Sequence, residues 1–554
     1  MSDAEVTSAL TARRIAPQVG WHTFFDAAEA LLAPESVVSA LSELPAGTLV
    51  ALSTSTPLAP AGAAALLVDD EGLPLAATAA ALAQLDVADV TAPAPRPADE
   101  AQEAMAAERT FTTLGALADL LLACLDTPLA RVGGTRSAIA DEGGSVGVAD
   151  RKRLLQQRIA QDADELDDLV ALAERCGLLR PDGRSWLASP EGSAWVRHST
   201  ADRWCELVQR WRAALPDGLS DTSGRLLPVS AWPSAYPLSA SWPDACARFL
   251  REAEMLALVA AGGAEPAWAA VLHEGGEPDP SALLALLPSE VDRIYLQNDL
   301  TAISPGPLAP ALDVRLRTMA RRESHAQAST YRFTETALEG AVAAGETDET
   351  IREFLTSISL TGIPQPLSYL LTRTAERHGL VQVAEEPQTG QTIVTSADAH
   401  LLETISVDQA LRMLGLTPDA GLLRSRATRH AVYWALADAH YPVIAVDDHG
   451  EAQSLDRLSE AAAAEQTNPY AGLLTRLRDA QNDDPEAAWR ERELDTAVRA
   501  KASIVVEVAM PDGTVRELRL EATGLGGGRL RGLDRAGDVE RTLPVSLIRS
   551  VRPA

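Results

Sequence analysis

Apolar residues recur at helical spacing through most of this chain and alternate with polar ones only near its end, so helices are expected first and a sheet last. FFDAAEALL and SVVSALSEL each gather their leucines and alanines on one helical face. A hairpin-like element around LLVDDEGLPL follows, turning at Asp70-Glu71-Gly72. The Pro/Ala-rich run TAPAPRPADEAQE, from Thr91, reads as a linker. FTTLGALADLLLACL then predicts an apolar helix. VADRKRLLQQRIAQDADELDDLVALAERCGLL predicts helix, turn, helix, with Leu166, Leu169, Val170 and Ala173 on one face and Gly177 as the stop. LLRPDGRSWLAS supplies two short strands joined at Pro181-Asp182-Gly183. Helix-turn-helix followed by a two-stranded wing is a winged-helix order, and such modules contact DNA or protein. The first region also fits a small helical or winged-helix module.

Between Pro228 and Pro243 four prolines and three large aromatics make an irregular stretch before helices resume with DACARFLREAEMLALVAA. RIYLQ and LTAIS are strand-like, and SPGPLAP is a turn-rich exit. ALDVRLRTMARRES predicts a helix whose Arg315, Arg317, Arg321 and Arg322 mostly face solvent. STYRF is a strand. Thr334 or Thr336 can cap the next helix, which Gly345 ends, and Thr347 caps another with Ile351, Phe354, Leu355 and Ile358 inward. Pro364 opens a third helix, where its missing N–H is harmless, and Gly379 closes it. LVQVA and QTIVTS form a hairpin. The order strand, helix, strand, helices, hairpin describes a compact α+β domain.

That stretch, DRIYLQNDLTAIS and then STYRFTETALEGAVAAGETDETIREFLTSISLTGIPQPLSYLLTRTAERHGLVQV between Asp292 and Val383, is similar to the N-terminal domain found in front of the motor in XPB-type helicases. The resemblance covers roughly a fifth of the chain. It implies membership among bacterial helicase-associated proteins that carry winged-helix segments upstream and bind DNA. From about Val407 to Arg499 the chain is expected to be helical, with one strand, PVIAV, before the turn Asp447-Asp448-His449-Gly450. In the last fifty residues VVEVAM and VRELRL flank Pro511-Asp512-Gly513, a hairpin signal. GGRLRGLD and VERTLPVSLIRSV resemble the C-terminal part of a WYL-type small β-barrel, without the Trp-Tyr-Leu tripeptide that names that family.

The expected fold class is therefore multi-domain and mainly α with α+β. It comprises a helical or winged-helix-like module (1–90), a linker (91–105), a winged-helix domain (106–225), a connector (226–286), the XPB N-terminal-like α+β domain (287–400), a helical region (401–500) and a small WYL-like β-barrel (501–554).

Charge and chemistry narrow the function. The net charge is −30, yet residues 1–110 hold 4 basic and 15 acidic side chains while 501–554 hold 9 and 7. A local basic surface survives such a balance, because exposed charges beyond about 10 Å are screened at 0.1 M salt. The chain has two lysines, Lys152 and Lys501, against 46 arginines, a usage typical of a high-GC bacterial genome. A P-loop ATPase needs a lysine in Gly-x-x-x-x-Gly-Lys-Ser/Thr, and neither lysine has that setting. No Asp-Glu-x-His run is present to hold magnesium, and the one Asp-Glu-x-Asp run, Asp164-Glu165-Leu166-Asp167, falls in the second helix of the helix, turn, helix. A helicase acting alone is thus not expected.

Other chemistry is also thin. The four cysteines (Cys124, Cys176, Cys205, Cys246) are scattered, so reduced buried thiols are expected. His273-Glu274 lacks the second histidine of a zinc-protease helix. Gly143-Gly144-Ser145-Val146-Gly147 fits Gly-x-Ser-x-Gly only formally, since the polar SAIADE precedes it instead of a buried strand. Gly524, Gly526, Gly527 and Gly528 lie between strands, and Arg529 takes the place of the last dinucleotide-binding glycine. No cofactor, metal site, signal segment or membrane span is expected, and the chain reads as cytoplasmic. Trp186, Trp195, Trp204 and Trp211 are core candidates first and base-stacking candidates second.

The basic constellations remain. Arg131, Arg136, Arg151, Lys152, Arg153 and Arg158 cluster about the helix-turn-helix, where they can meet phosphates or pair with Asp162, Asp164 and Glu165. Arg529, Arg531, Arg535 and Arg541 make a second positive group at the C-terminus. The expected function is a non-catalytic, helicase-associated DNA-binding protein in repair or transcription-related remodelling. The alternative is a scaffold recruiting a separate helicase or nuclease without touching DNA.

Overall fold

The computed structural model describes the chain except for residues 1, 59–65, 86–93, 134–142, 222, 324–327, 378, 387–389, 440, 448–451, 454–467, 483–492, 511–513, 536, 538 and 554. It is a mixed α/β structure with several small sheets, divided into two units. One gathers Met1–Leu41, Ala51–Asp86 and Gln466–Ala554; the other takes Ser42–Val50 and Val87–Glu465.

The chain starts with short helices α1 (Asp3–Ala12), α2 (Phe24–Leu32), α3 (Pro34–Ser42), α4 (Ala46–Ser53) and α5 (Ala76–Leu82). Ser2 and Thr23 close capping boxes on α1 and α2, satisfying N–H groups that a first turn leaves orphaned. The expected hairpin near Asp70 is a single bridge, Val68 to Pro74, turned by Asp69, whose carboxylate accepts from the Glu71 and Leu73 amides.

The second unit begins with α6 (Glu100–Asp126), capped by Asp99, so the helix takes in residues the sequence assigns to the linker. Then come β1 (Leu129–Val132), β2 (Ser145–Val146), α7 (Val148–Gln156), α8 (Ala163–Arg175), β3 (Leu179–Asp182) and β4 (Ser185–Ala188). These strands form one sheet in the order β2-β1-β4-β3. The helices α9 (Pro190–Trp195), α10 (Thr200–Ala213), α11 (Trp242–Met255), α12 (Ala270–His273) and α13 (Ser281–Leu284) follow. Trp186, Trp195, Trp204 and Trp211 are fully buried in the core these elements share, as core packing requires and base stacking forbids.

A four-stranded sheet, β5-β6-β8-β7, comes next, built from β5 (Tyr295–Leu296), β6 (Thr301–Ser304), β7 (Arg321–Arg322) and β8 (Ser329–Arg332), with α14 (Pro310–Met319) between β6 and β7. It packs with α15 (Glu335–Ala343), α16 (Asp348–Ile358) and α17 (Gln365–Arg377) around Tyr331, Phe333, Ile351, Phe354 and Leu355. Thr334 and Thr347 cap α15 and α16. The next hairpin, β9 (Val381–Glu385) with β10 (Thr392–Ser396), joins later strands instead of this sheet. With α18 (Ala399–Val407), β11 (Thr417–Asp419), β12 (Leu422–Ser425), α19 (Arg429–Asp438), β13 (Val443–Val446) and β14 (Ala452–Gln453) it builds a six-stranded sheet, β11-β12-β10-β9-β13-β14. Residues 407–453 therefore hold four strands where mostly helix is expected. These strands are two to four residues long, and β12 and β13 are placed against β10 and β9 by non-local pairing, which local periodicity does not carry.

In the first unit, Leu473, Leu474 and Leu477 of α20 (Ala471–Asn482) pack with Leu10, Ala27 and Leu31, and Tyr470 donates to the Ile15 carbonyl at 2.8 Å. Residues 10–31 and 470–477 thus share a core. After the helical residues 493–499 come β15 (Ser503–Ala509), β16 (Val515–Gly526), β17 (Arg529–Asp534), β18 (Val539–Pro544) and β19 (Ile548–Pro553). They pair antiparallel in the order β18-β17-β16-β15-β19, with Ile504, Val506, Val508, Leu520 and Leu530 inward. The expected turn at Pro511-Asp512-Gly513 lies outside the described residues, as does Asp448-His449-Gly450. No helix among the described residues is long and apolar enough to cross a membrane.

Candidate nucleic-acid interface

The first basic group is largely consumed within the protein. Arg151 donates to both Asp167 oxygens, at 2.8 and 3.0 Å, and Arg153 to Asp150 at 2.9 Å. Asp150 also accepts the Ala130 amide at 2.8 Å, tying α7 to β1. Burial pushes the Asp167 carboxyl up, against the opposing pull of Arg151. Arg131 donates to the carbonyls of Gly143 and Gly183 and lies 5.4 Å from the Trp186 ring centre, so it staples the sheet. Lys152 and Arg158 are exposed and form no ion pair with a described residue; Arg158 occupies a left-handed turn at φ 58°. Arg136 lies outside the described residues.

The helix beside them is acidic. Asp162 caps α8 through the Glu165 amide, Asp164 is exposed, and Asp168 holds Arg251 at 2.8 and 3.0 Å. A helix entering a groove between phosphate rows must bring neutral or positive side chains. The α7 arginines instead offset carboxylates of their own module.

The second group divides between two faces of its sheet. Side chains alternate along a strand, and directly paired residues share a face. Leu530 and Gly532 are buried, so Arg529 and Arg531 point outward together and both are exposed. Their partners on β16 are Gly526 and Gly524; those on β18 are Pro544 and Thr542. Arg541 pairs with Gly532 and so belongs to the other face, where it donates to Asp534 at 3.0 Å. Arg535 donates to Glu521 at 2.5 Å. Two of the four arginines are thus bound to carboxylates, and two stand together without a described ion pair.

A buried carboxylate and two arginines join the sheet of β5–β8 to the helical core. Asp119, almost fully buried on α6, accepts a hydrogen bond from Arg317 on α14, with Arg322 3.7 Å from the same oxygen. Arg317 and Arg322 therefore turn inward, not to solvent, because a carboxylate lies under them. Burial pulls the Arg317 guanidinium down, but Asp119 and Asp313 together hold it above its usual value. Asp313 also accepts the Tyr331 hydroxyl, and Glu290 accepts the Thr200 amide at 2.7 Å. The signal was present: Asp119 is a lone carboxylate inside ALADLLLACL.

Catalytic constellations gain no support from these positions. Lys152 lies inside α7, and Lys501 follows a helix and leads into a strand. Ser145 is in an edge strand paired to β1, not at a strand-to-helix elbow. No group of three His, Cys, Asp or Glu among the described residues could hold a metal.

The comparisons agree with a helicase-related chain. A family model described as "Helicase conserved C-terminal domain" matches residues 294–419, from β5 into β11. Over 90 residues the chain is 37% identical to the DNA 3'-5' helicase XPB of Mycobacterium tuberculosis (strain ATCC 25618 / H37Rv). That match covers 16% of this chain and 16% of the relative's length. The matching model is named for a C-terminal helicase domain, whereas the sequence reading likened the segment to an N-terminal one.

Proposed function

We propose that this helicase-related chain is a non-catalytic accessory protein that binds DNA and works beside a motor carried by another polypeptide. The carrying observation is the setting of its two lysines. A phosphate loop runs from a strand through glycines into a helix, with the lysine at the helix start. Lys152 is in the second turn of a helix opened by Gly147-Val148, and Lys501 has the opposite order, helix then strand. The chain keeps a helicase-type segment without the ammonium group that would grip a triphosphate.

Element order bears on the finer assignments. The succession α6, β1, β2, α7, α8, β3, β4 supports a winged-helix module, and the five antiparallel strands β15–β19, with β18 and β19 at the two edges of their order, are read as the WYL-like part. The segment 287–400 is read as the XPB N-terminal-like domain and the protein as cytoplasmic. One observation favours a second reading, a scaffold for a helicase or nuclease: the carboxylate-bearing surface of α8 suits a basic protein surface better than a phosphate row. Gel shifts of duplex, fork and single strands at about 50 mM salt separate the two. Retained DNA supports the first reading. No shift, together with recovery of a helicase or nuclease on the immobilised chain, selects the second.

A further inference from the structure

We infer that nucleic-acid backbone is gripped at one corner of the C-terminal sheet, by Arg529 and Arg531, and not by the helix-turn-helix. This deepens the DNA-binding reading and rests on it. Positions two apart on a strand lie about 6.6 Å apart on the same face, so β17 presents two guanidinium groups side by side. What flanks them matters as much. Across one ladder stand Gly526 and Gly524, and a Cβ built at either meets nothing within 4 Å. Across the other stand Pro544 and Thr542. The first carboxylates on that face are one row on: Glu521, already held by Arg535, and Glu540, opposite Leu533.

The glycines leave both arginine forks open to a bulky chain from the side. A guanidinium presents a planar set of donors that meets phosphate oxygens in pairs. A contact made by these forks to phosphodiester backbone is independent of sequence.

The test is fluorescence anisotropy of a labelled single strand and a labelled duplex with the full chain across a salt series. For the unaltered chain, log affinity falls linearly with log salt. The R529A/R531A double variant is expected to lower that slope by about 1.8 on duplex and about 1.4 on single strand. R529K/R531K retains most of it, because charge without the fork still pairs with phosphate. T542E leaves both arginines in place but sets a carboxylate beside Arg531; it also flattens the slope, and unchanged melting temperatures in both variants exclude misfolding as the cause. K152A/R158A keeps the slope of the unaltered chain. Binding by R529A/R531A with unchanged slope overturns this assignment while leaving the DNA-binding reading intact. Absence of binding by the unaltered chain overturns both. If inorganic pyrophosphate protects the chain thermally through Arg529 and Arg531 while neither nucleic acid binds, the corner takes a small anion and the inference is wrong.

Discussion

Asp119, in the middle of an otherwise apolar helix, accepts a hydrogen bond from Arg317 of the helicase-related segment, and Arg322 lies 3.7 Å from the same carboxylate oxygen. The contact joins α6 to α14 of the segment from 294, and Val314, one turn earlier on α14, belongs to the same apolar core as α6. A buried charge pair costs desolvation when it forms, so its worth lies in fixing one arrangement. Removing one partner is what destabilises.

Asp119→Ala is therefore expected to cost about 3 kcal/mol, because it leaves the mostly buried Arg317 guanidinium with Asp313 alone, 3.7 Å away. The measurement is urea unfolding followed by tryptophan fluorescence. Seven tryptophans, from Trp186 to Trp268, lie buried in the core next to this pair. Glu323→Ala, which breaks an exposed pair with Arg332, shifts the midpoint far less. Equal shifts would remove the pair's structural role.

His273 makes that core sensitive to pH. Its Nδ1 lies 2.8 Å from the Leu226 carbonyl and its Nε2 faces the Glu265 carboxylate, so both ring nitrogens donate and the ring carries a proton. The Glu265 hydrogen bond raises the histidine above its usual 6.5, against the cost of burial. A raised folded-state value means the contribution is complete below pH 6.5 and disappears as pH climbs through the folded value. Melting temperature should fall over that interval, and His273→Ala should flatten the fall. A wild-type curve that rises over the same interval would refute it.

Trp211→Ala is expected to cost about 3–5 kcal/mol, the range for emptying a large aromatic site. The indole also donates to Glu252 at 2.7 Å, and that buried carboxylate further accepts from Arg175 at 2.8 Å. Trp211→Phe keeps most of the volume but leaves Glu252 one donor short, so it should cost about 1–3 kcal/mol. Urea midpoints check both. Full stability in the alanine variant, with altered DNA affinity, would return the ring to the stacking role.

Local signals in this sequence proved informative where the structure is itself local. Thr334, Thr347 and Gly177 sit at helix ends as their side chains or backbone freedom dictate, and α7, α8 and the β3–β4 hairpin follow the predicted order. What escaped notice is long-range. Nothing in LVQVA or QTIVTS announces pairing with residues 422–425 and 443–446. Nor does Leu473 declare Leu10 as a neighbour. The basic groups were legible as composition but not as faces. A run of Arg, Lys, Arg reads as a positive patch until Asp150 and Asp167 are found beneath it, and Arg541 separates from Arg531 only once strand register is known.

Nucleotide turnover tests the central claim most directly. The full chain, with magnesium and with or without single-stranded and duplex DNA, is assayed for ATP hydrolysis beside K152A and K501A. The expected result is the same background rate for all three proteins under every condition. DNA-stimulated hydrolysis by the unaltered chain that either lysine substitution abolishes would show that it drives its own motor, and would contradict an accessory that acts by attachment alone.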